Sequence, residues 1–147
     1  MKRHSFSVVS VNISTEKGTV KTPVHSVLLV KGHGIERDAH AGPWHRQISL
    51  LALESIEKMR ARGIKLKPGD FAENITTTGT ILHTLPLGTK LYIEDTELEV
   101  TQIGKECHTG CAVFERTGMC IMPKEGIFAK VIKGGRINAQ SSGYYYI

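Results

Sequence analysis

The sequence predicts a mostly β domain, closed or barrel-like, with a few short helices. Three observations lead there. Several short apolar runs alternate or are rich in β-branched residues. The chain carries 15 glycines, which suit many turns and bends. Only one segment has a clear helical period.

Taken in order, Phe6 to Ile13 is rich in Val and Ser and reads as a strand. A turn follows around Glu16-Lys17-Gly18, and Val24 to Val30 reads as a second, buried strand. From Lys31 to His45 the composition shifts to Gly, His, Asp and Arg, as in a long polar loop of the kind that carries function. The helix is expected within Ile48 to Arg62, where Leu53, Ile56 and Arg60 share a face. Glu54 and Lys58 are spaced to pair along that helix, and Gly63 is its stop. Lys67-Pro68-Gly69-Asp70 turns the chain into Phe71 to Ile75 and a Thr-rich stretch. Leu91-Tyr92-Ile93 and Leu98-Glu99-Val100 alternate about a four-residue turn and predict a hairpin. Ile127 to Ile132 predicts a last strand before Gly134-Gly135.

The 147 residues suit a single domain over 1–147, with 40% apolar and 22% charged residues. No apolar run reaches the roughly 18–20 residues that cross a bilayer, and Ser5 to Val9 is too short and polar for a secretory core. A cytoplasmic protein without a membrane partner is therefore expected. The net charge of +5 favours anionic partners. Basic residues are scattered and aromatics few, so a small anionic ligand fits better than nucleic acid. Three cysteines, an odd number, argue against a purely disulfide-stapled domain.

The chemistry concentrates in Gly104-Lys105-Glu106-Cys107-His108-Thr109-Gly110-Cys111. Lys105 and His108 flank Cys107, and nearby positive charge raises the thiolate fraction of a thiol. A thiolate attacks sulfur donors, carries a persulfide or binds a soft metal; a half-buried structural cysteine is the competing reading. Cys107, Cys111 and Cys120 are spaced unlike common zinc or cluster motifs. In the 32–47 loop, His33, Arg37, Asp38, His40, His45 and Arg46 suit anion or cofactor binding, or simply tie down the loop's own turns. Asp70 and Asn74 suit backbone-bonding turns, and Asn74 also offers a heterocycle a paired donor and acceptor.

Together these segments resemble the MOSC family, named for the C-terminal domain of molybdenum cofactor sulfurase. The resemblance runs, in order, through Gly34-Ile35-Glu36-Arg37-Asp38-Ala39-His40-Ala41-Gly42, Arg46-Gln47-Ile48-Ser49-Leu50-Leu51 and Gly69-Asp70-Phe71-Ala72-Glu73-Asn74-Ile75. It continues through Leu87-Gly88, Gly104 to His108 and Met122 to Val131. Membership implies a β-barrel of the pyruvate-kinase-barrel-like kind. It implies the molybdenum cofactor (molybdopterin) as ligand, with Cys107 either carrying sulfur as a persulfide or ligating molybdenum. Arg37, His40, Arg46, Asp70, Asn74 and Lys105 become cofactor-binding candidates.

The chain resembles a stand-alone, bacterial-type member. It shows no pyridoxal-phosphate-dependent desulfurase module, so no pyridoxal phosphate site of its own is expected, and a cysteine desulfurase or molybdopterin-biosynthesis protein becomes the expected partner. The tail, Ala139 to the three tyrosines, departs from the family pattern. The function implied is cofactor binding and sulfur transfer. The alternatives are a non-catalytic pterin-cofactor storage module and a small molybdoenzyme reducing N-hydroxylated compounds.

Overall fold

The computed structural model describes residues 1–104 and 122–147, with Met122 and Pro123 described by backbone alone. Its strands are β1 (Arg3–Ile13), β2 (Thr22–Val24), β3 (Ser26–Val30), β4 (Gly34–Ile35), β5 (Ile48–Ala52) and β6 (Ile75–Thr78). They continue with β7 (Lys90–Ile93), β8 (Thr96–Ile103), β9 (Ile127–Lys133), β10 (Gly135–Asn138) and β11 (Ser142–Tyr146). One helix, α1 (Leu53–Arg60), and two short helical turns, Leu82–Thr84 and Met122–Glu125, complete the described elements.

The main sheet runs β11-β7-β8-β9-β5-β6-β1-β2, and a further pairing of β11 with β1 closes seven of these strands into a barrel. The long β1 makes the seam. Its start pairs with β11, from Arg3 opposite Tyr146 to Ser7 opposite Ser142. Its middle pairs with β6 and its end with β2. Beyond the strands, Lys2 N–H donates to the Ile147 carbonyl at 2.8 Å, and Ile147 N–H returns a bond to Lys2 at 3.0 Å.

An odd ring has a topological consequence. Strand direction must return to itself after one circuit, so the number of antiparallel neighbour pairs is even and one pair of the seven is left parallel. That pair is β5–β6, with Leu50 opposite Ile75 and Ala52 opposite Thr77. Parallel neighbours need a crossover, and α1 lies within it.

The crossover explains why β5 is buried along its whole length. Ile48, Leu50 and Ala52 face the barrel core with Phe6, Val8, Ile75, Leu98 and Ile127. Leu51 faces the other way, into a second cluster with Ile56, Met59, Leu66, Phe71 and Phe128. Each fully buried Leu or Ile stabilises by about 1.5–3 kcal/mol, so this packing, not intrinsic propensity, holds an eight-residue helix. A smaller sheet, β10-β3-β4, contributes Val27, Leu29, Ile35 and Ile137 to the barrel core.

The expected mostly β barrel is what forms, with two local corrections. The helix forms inside the expected Ile48 to Arg62 window, at Leu53–Arg60, and the strand β5 fills the start of that window. The expected strand Val24 to Val30 breaks at His25 into β2 and β3, which belong to different sheets. Glu54 bonds Gly79 N–H at 2.8 Å instead of Lys58, and Lys58 reaches Glu125 at 3.0 Å. The tail is no appendage, because β11 closes the barrel.

Gly69 marks the tightest approach in the crossover. Its φ is +92°, and a Cβ there would sit 2.2 Å from the Lys21 carbonyl oxygen. Gly63 has a similar φ of +87° with nothing within 4 Å. Gly63→Ala is expected to cost about 1–2 kcal/mol from backbone conformation alone. Gly69→Ala is expected to cost at least about 1 kcal/mol more, because the backbone must also separate. Urea denaturation of the two variants reads the difference.

Candidate functional site

The polar loop after β3 is tied down by a buried ion pair. Lys21 Nζ and Asp38 Oδ1 lie 2.8 Å apart, and neither side chain is exposed. Lys21 also donates to Ser14 Oγ at 3.1 Å and meets His40 Nδ1 at 2.9 Å. Asp38 accepts the backbone N–H groups of Ser14 and His40, each at 3.1 Å. Such a pair needs these extra bonds, because desolvating both charges costs several kcal/mol per ion. An ammonium only donates, so His40 Nδ1 accepts and the ring keeps its proton on Nε2. His40 is thereby a partly exposed donor held from behind.

The same network fixes the turn before Asp38. Ile35 carbonyl accepts Asp38 N–H at 3.1 Å, and Arg37, third in the turn, has φ +73°. That place in such a turn favours Gly; a bulky side chain there costs about 1–2 kcal/mol. Arg37 stands out in solvent, 82% exposed, with Glu36 3.9 Å away.

A second polar cluster gathers where β8 ends. Arg46 Nε donates to Gln102 Oε1 at 3.1 Å, and His45 Nε2 lies 2.9 Å from the same oxygen. The Arg46 guanidinium lies 5.2 Å from the centre of the Phe128 ring, and Thr101 Oγ1 bonds the His45 carbonyl. Gln102 Nε2 donates to Gly104 O at 2.8 Å, and Gly104 N–H to Gly126 O at 2.7 Å. The chain therefore leaves and re-enters the barrel beside Arg46. Nearby, Glu125 accepts from Ser55 at 2.6 Å and Lys58 at 3.0 Å. Burial alone would raise the Glu125 pKa, but these bonds, with the Lys58 and His83 charges, leave it below the usual carboxylate value.

The third cluster lies under the first. Asn74 is fully buried; its Oδ1 accepts Ser49 N–H at 3.0 Å and its Nδ2 donates to the Asn12 carbonyl at 3.1 Å. Asp70 is buried too, its Oδ2 accepting Lys67 N–H at 3.0 Å. Glu73 Oε2 accepts Gly69 N–H at 3.0 Å and Thr76 Oγ1 at 2.6 Å. Burial pushes the Glu73 pKa up, against bonds that pull it down.

The structure thus divides the residues singled out in the sequence. His40 is partly exposed beside Lys21 and Asp38, and Arg46 sits where β8 ends. Arg37 lines a separate hollow with Ile13, Val24 and Arg136. Asn74 braces β5 against β1, and Asp70 ties the 67–70 turn through the Lys67 backbone, the bonding role their residue types suggested. Cys107, Lys105, Cys111 and Cys120 lie outside the described residues. Lys21 and Gln102, which organise two of the clusters, carried no sequence signal of function: one stands alone between Val20 and Thr22, the other ends an ordinary strand. Among the described residues no group of three or more His, Cys, Asp or Glu is placed to hold a metal.

A seven-stranded barrel with one parallel pair and a polar loop pinned by a buried lysine defines a recognisable class. The MOSC domain model matches residues 36–142, and the chain belongs to the MOSC family, which is associated with the molybdenum cofactor. The fold is similar to that of the YuaD protein from Bacillus subtilis, with TM-score 0.80 and 18% identity over 99% of each chain. It is also similar to YiiM from Geobacillus stearothermophilus, with TM-score 0.72 and 20% identity over 97% of this chain and 75% of that one. For YiiM from Escherichia coli the TM-score is 0.66 at 18% identity, covering 100% and 71%. No curated protein matches.

Two outcomes follow from the buried charges. Lys21→Met strands the Asp38 carboxylate in the interior and is expected to cost about 3–5 kcal/mol in chemical denaturation. The native state holds a proton on Glu73 more tightly than the unfolded chain does. Stability from this group is complete below the ordinary carboxylate range and falls as pH rises through the elevated value. Glu73→Gln is expected to flatten that fall, as read from melting temperatures across mildly acidic to neutral pH.

Proposed function

We propose that this domain binds the molybdenum cofactor at the β8 exit and carries sulfur on Cys107. Arg46 carries the reading. Its stem and Nε are committed to Phe128 and Gln102, while the terminal nitrogens make no bond among the described residues. A guanidinium positioned in this way suits a phosphate or carboxylate. The guanidinium of Arg46 suits an anionic, heteroatom-rich ligand such as a pterin cofactor. Lys105 adds positive charge next in the chain. Asn74 ties β5 to β1 beneath the loop, and Asp70 caps the turn at Lys67.

Cys107 follows Gly104 by three residues in the sequence. Gly104 itself accepts a bond from Gln102, the partner of Arg46. The reactive step belongs to the thiolate. Cys107 Sγ attacks the outer sulfur of a donor persulfide, forming Cys107–S–S⁻ and releasing the donor's thiolate, with no net change of redox state. Lys105 and His108 favour the thiolate by their charge. When bound, the cofactor would supply the metal centre that accepts sulfur.

The purified protein, incubated with a cysteine desulfurase and cysteine, is expected to gain about 32 Da on Cys107, lost on reduction. Cys107→Ser abolishes the gain. A mass unchanged in the wild type, or an equal gain in the variant, ends the carrier role. Arg46→Gln is expected to lower the molybdopterin that co-purifies from a cofactor-competent host by about tenfold.

A further inference from the structure

We propose that Arg37 and Arg136 form a second binding site, for a small organic anion with an apolar body, such as an aryl phosphate or carboxylate. The first observation is the backbone at Arg37. Its φ of +73° is the left-handed region that a glycine would occupy freely. The surroundings impose it: Glu36 N–H is fixed to Leu28 O at 2.9 Å, and Asp38 N–H to Ile35 O at 3.1 Å. Nothing in the packing of the turn uses the side chain, which stands 82% exposed. A large residue in a strained place, contributing nothing to the fold, points to a use for its guanidinium.

The second observation is the hollow it borders. A cavity of about 300 Å³ has an apolar floor of Ile13, Val24 and Leu28 and a rim of Arg37, Glu36 and Arg136. Arg136 reaches this rim through strand register. It lies directly opposite Leu28 in the β10–β3 pairing, so the two share one face of the small sheet. Arg136 Nη1 donates to Ser26 Oγ at 3.1 Å, which steadies one edge of the guanidinium. Glu36 is exposed and 3.9 Å from Arg37 Nε, a weak pairing that an entering anion displaces. The rim's net charge is positive, and two planar forks suit phosphate or carboxylate oxygens. The floor accounts for the apolar body.

This site is independent of Cys107 and of the cofactor reading. The test titrates the wild type, Arg37→Gly, Arg136→Gln and Cys107→Ser with phenyl phosphate and with benzoate. Binding is followed by the Arg Nε resonances in NMR. At least one probe is expected to bind the wild type and Cys107→Ser alike, shifting the Arg37 and Arg136 signals. Arg37→Gly and Arg136→Gln are each expected to weaken it by about tenfold. Without ligand, Arg37→Gly is expected to melt about 3 °C higher than the wild type through relief of the backbone, while Arg136→Gln does not. Failure of both probes to bind, or unchanged affinity in either variant, overturns the site. A melting temperature for Arg37→Gly at or below that of the wild type removes the strain on which the inference rests.

Discussion

Ring closure with an odd number of strands is the constraint from which the rest of this architecture follows. It forces β5 and β6 to run the same way, and that forces a crossover. The crossover brings α1 against the outside of the barrel and creates a second hydrophobic cluster around Phe71 and Phe128. It also makes β5 a strand with no solvent face. The chain returning from α1 then enters the interior at Gly69 to Asn74, where backbone groups need partners. Glu73, Asn74, Ser49 and Asn12 supply them. A buried carboxylate is thus part of the cost of an odd ring.

Charge is distributed on the same plan. Lys21 lies where the crossover touches the β1 end, its backbone bonded to Gly69 and its ammonium to Asp38. One residue thereby couples the interior brace to the surface loop that carries His40 and Arg46. The loop itself needs few apolar contacts, because its shape is set by hydrogen bonds to fixed backbone groups. The side chains of the loop can be polar for that reason.

The strands that were legible in the sequence have one wet face. β1 and the β7–β8 hairpin alternate over much of their length, and alternation is readable. β5 is not, since Ile48 to Ala52 is buried on both sides and carries no period. It runs directly into α1 without a turn residue, so strand and helix read as one element. β6 and β11 are Thr- and Tyr-rich segments whose strand character comes from their neighbours. At the candidate site, the density of His and Arg in the 37–46 loop marked a segment of interest, but composition does not say which way a side chain faces. It placed Arg37 with Arg46, although Arg37 borders the hollow beside Arg136 while Arg46 packs on Phe128 and bonds Gln102. Asn74 has the chemistry of a ligand contact and the burial of a strut.

The seam between β1 and β11 has a consequence for biosynthesis. During translation β1 emerges long before β11, the neighbour that closes the ring. Phe6 and Ser7 must wait with one edge unpaired while the strands between β1 and β11 appear. A ribosome-bound chain lacking its tyrosines is an open, curled sheet rather than a cylinder. Closure waits for β11, and the window before it leaves the β1 edge open to chaperones and to aggregation.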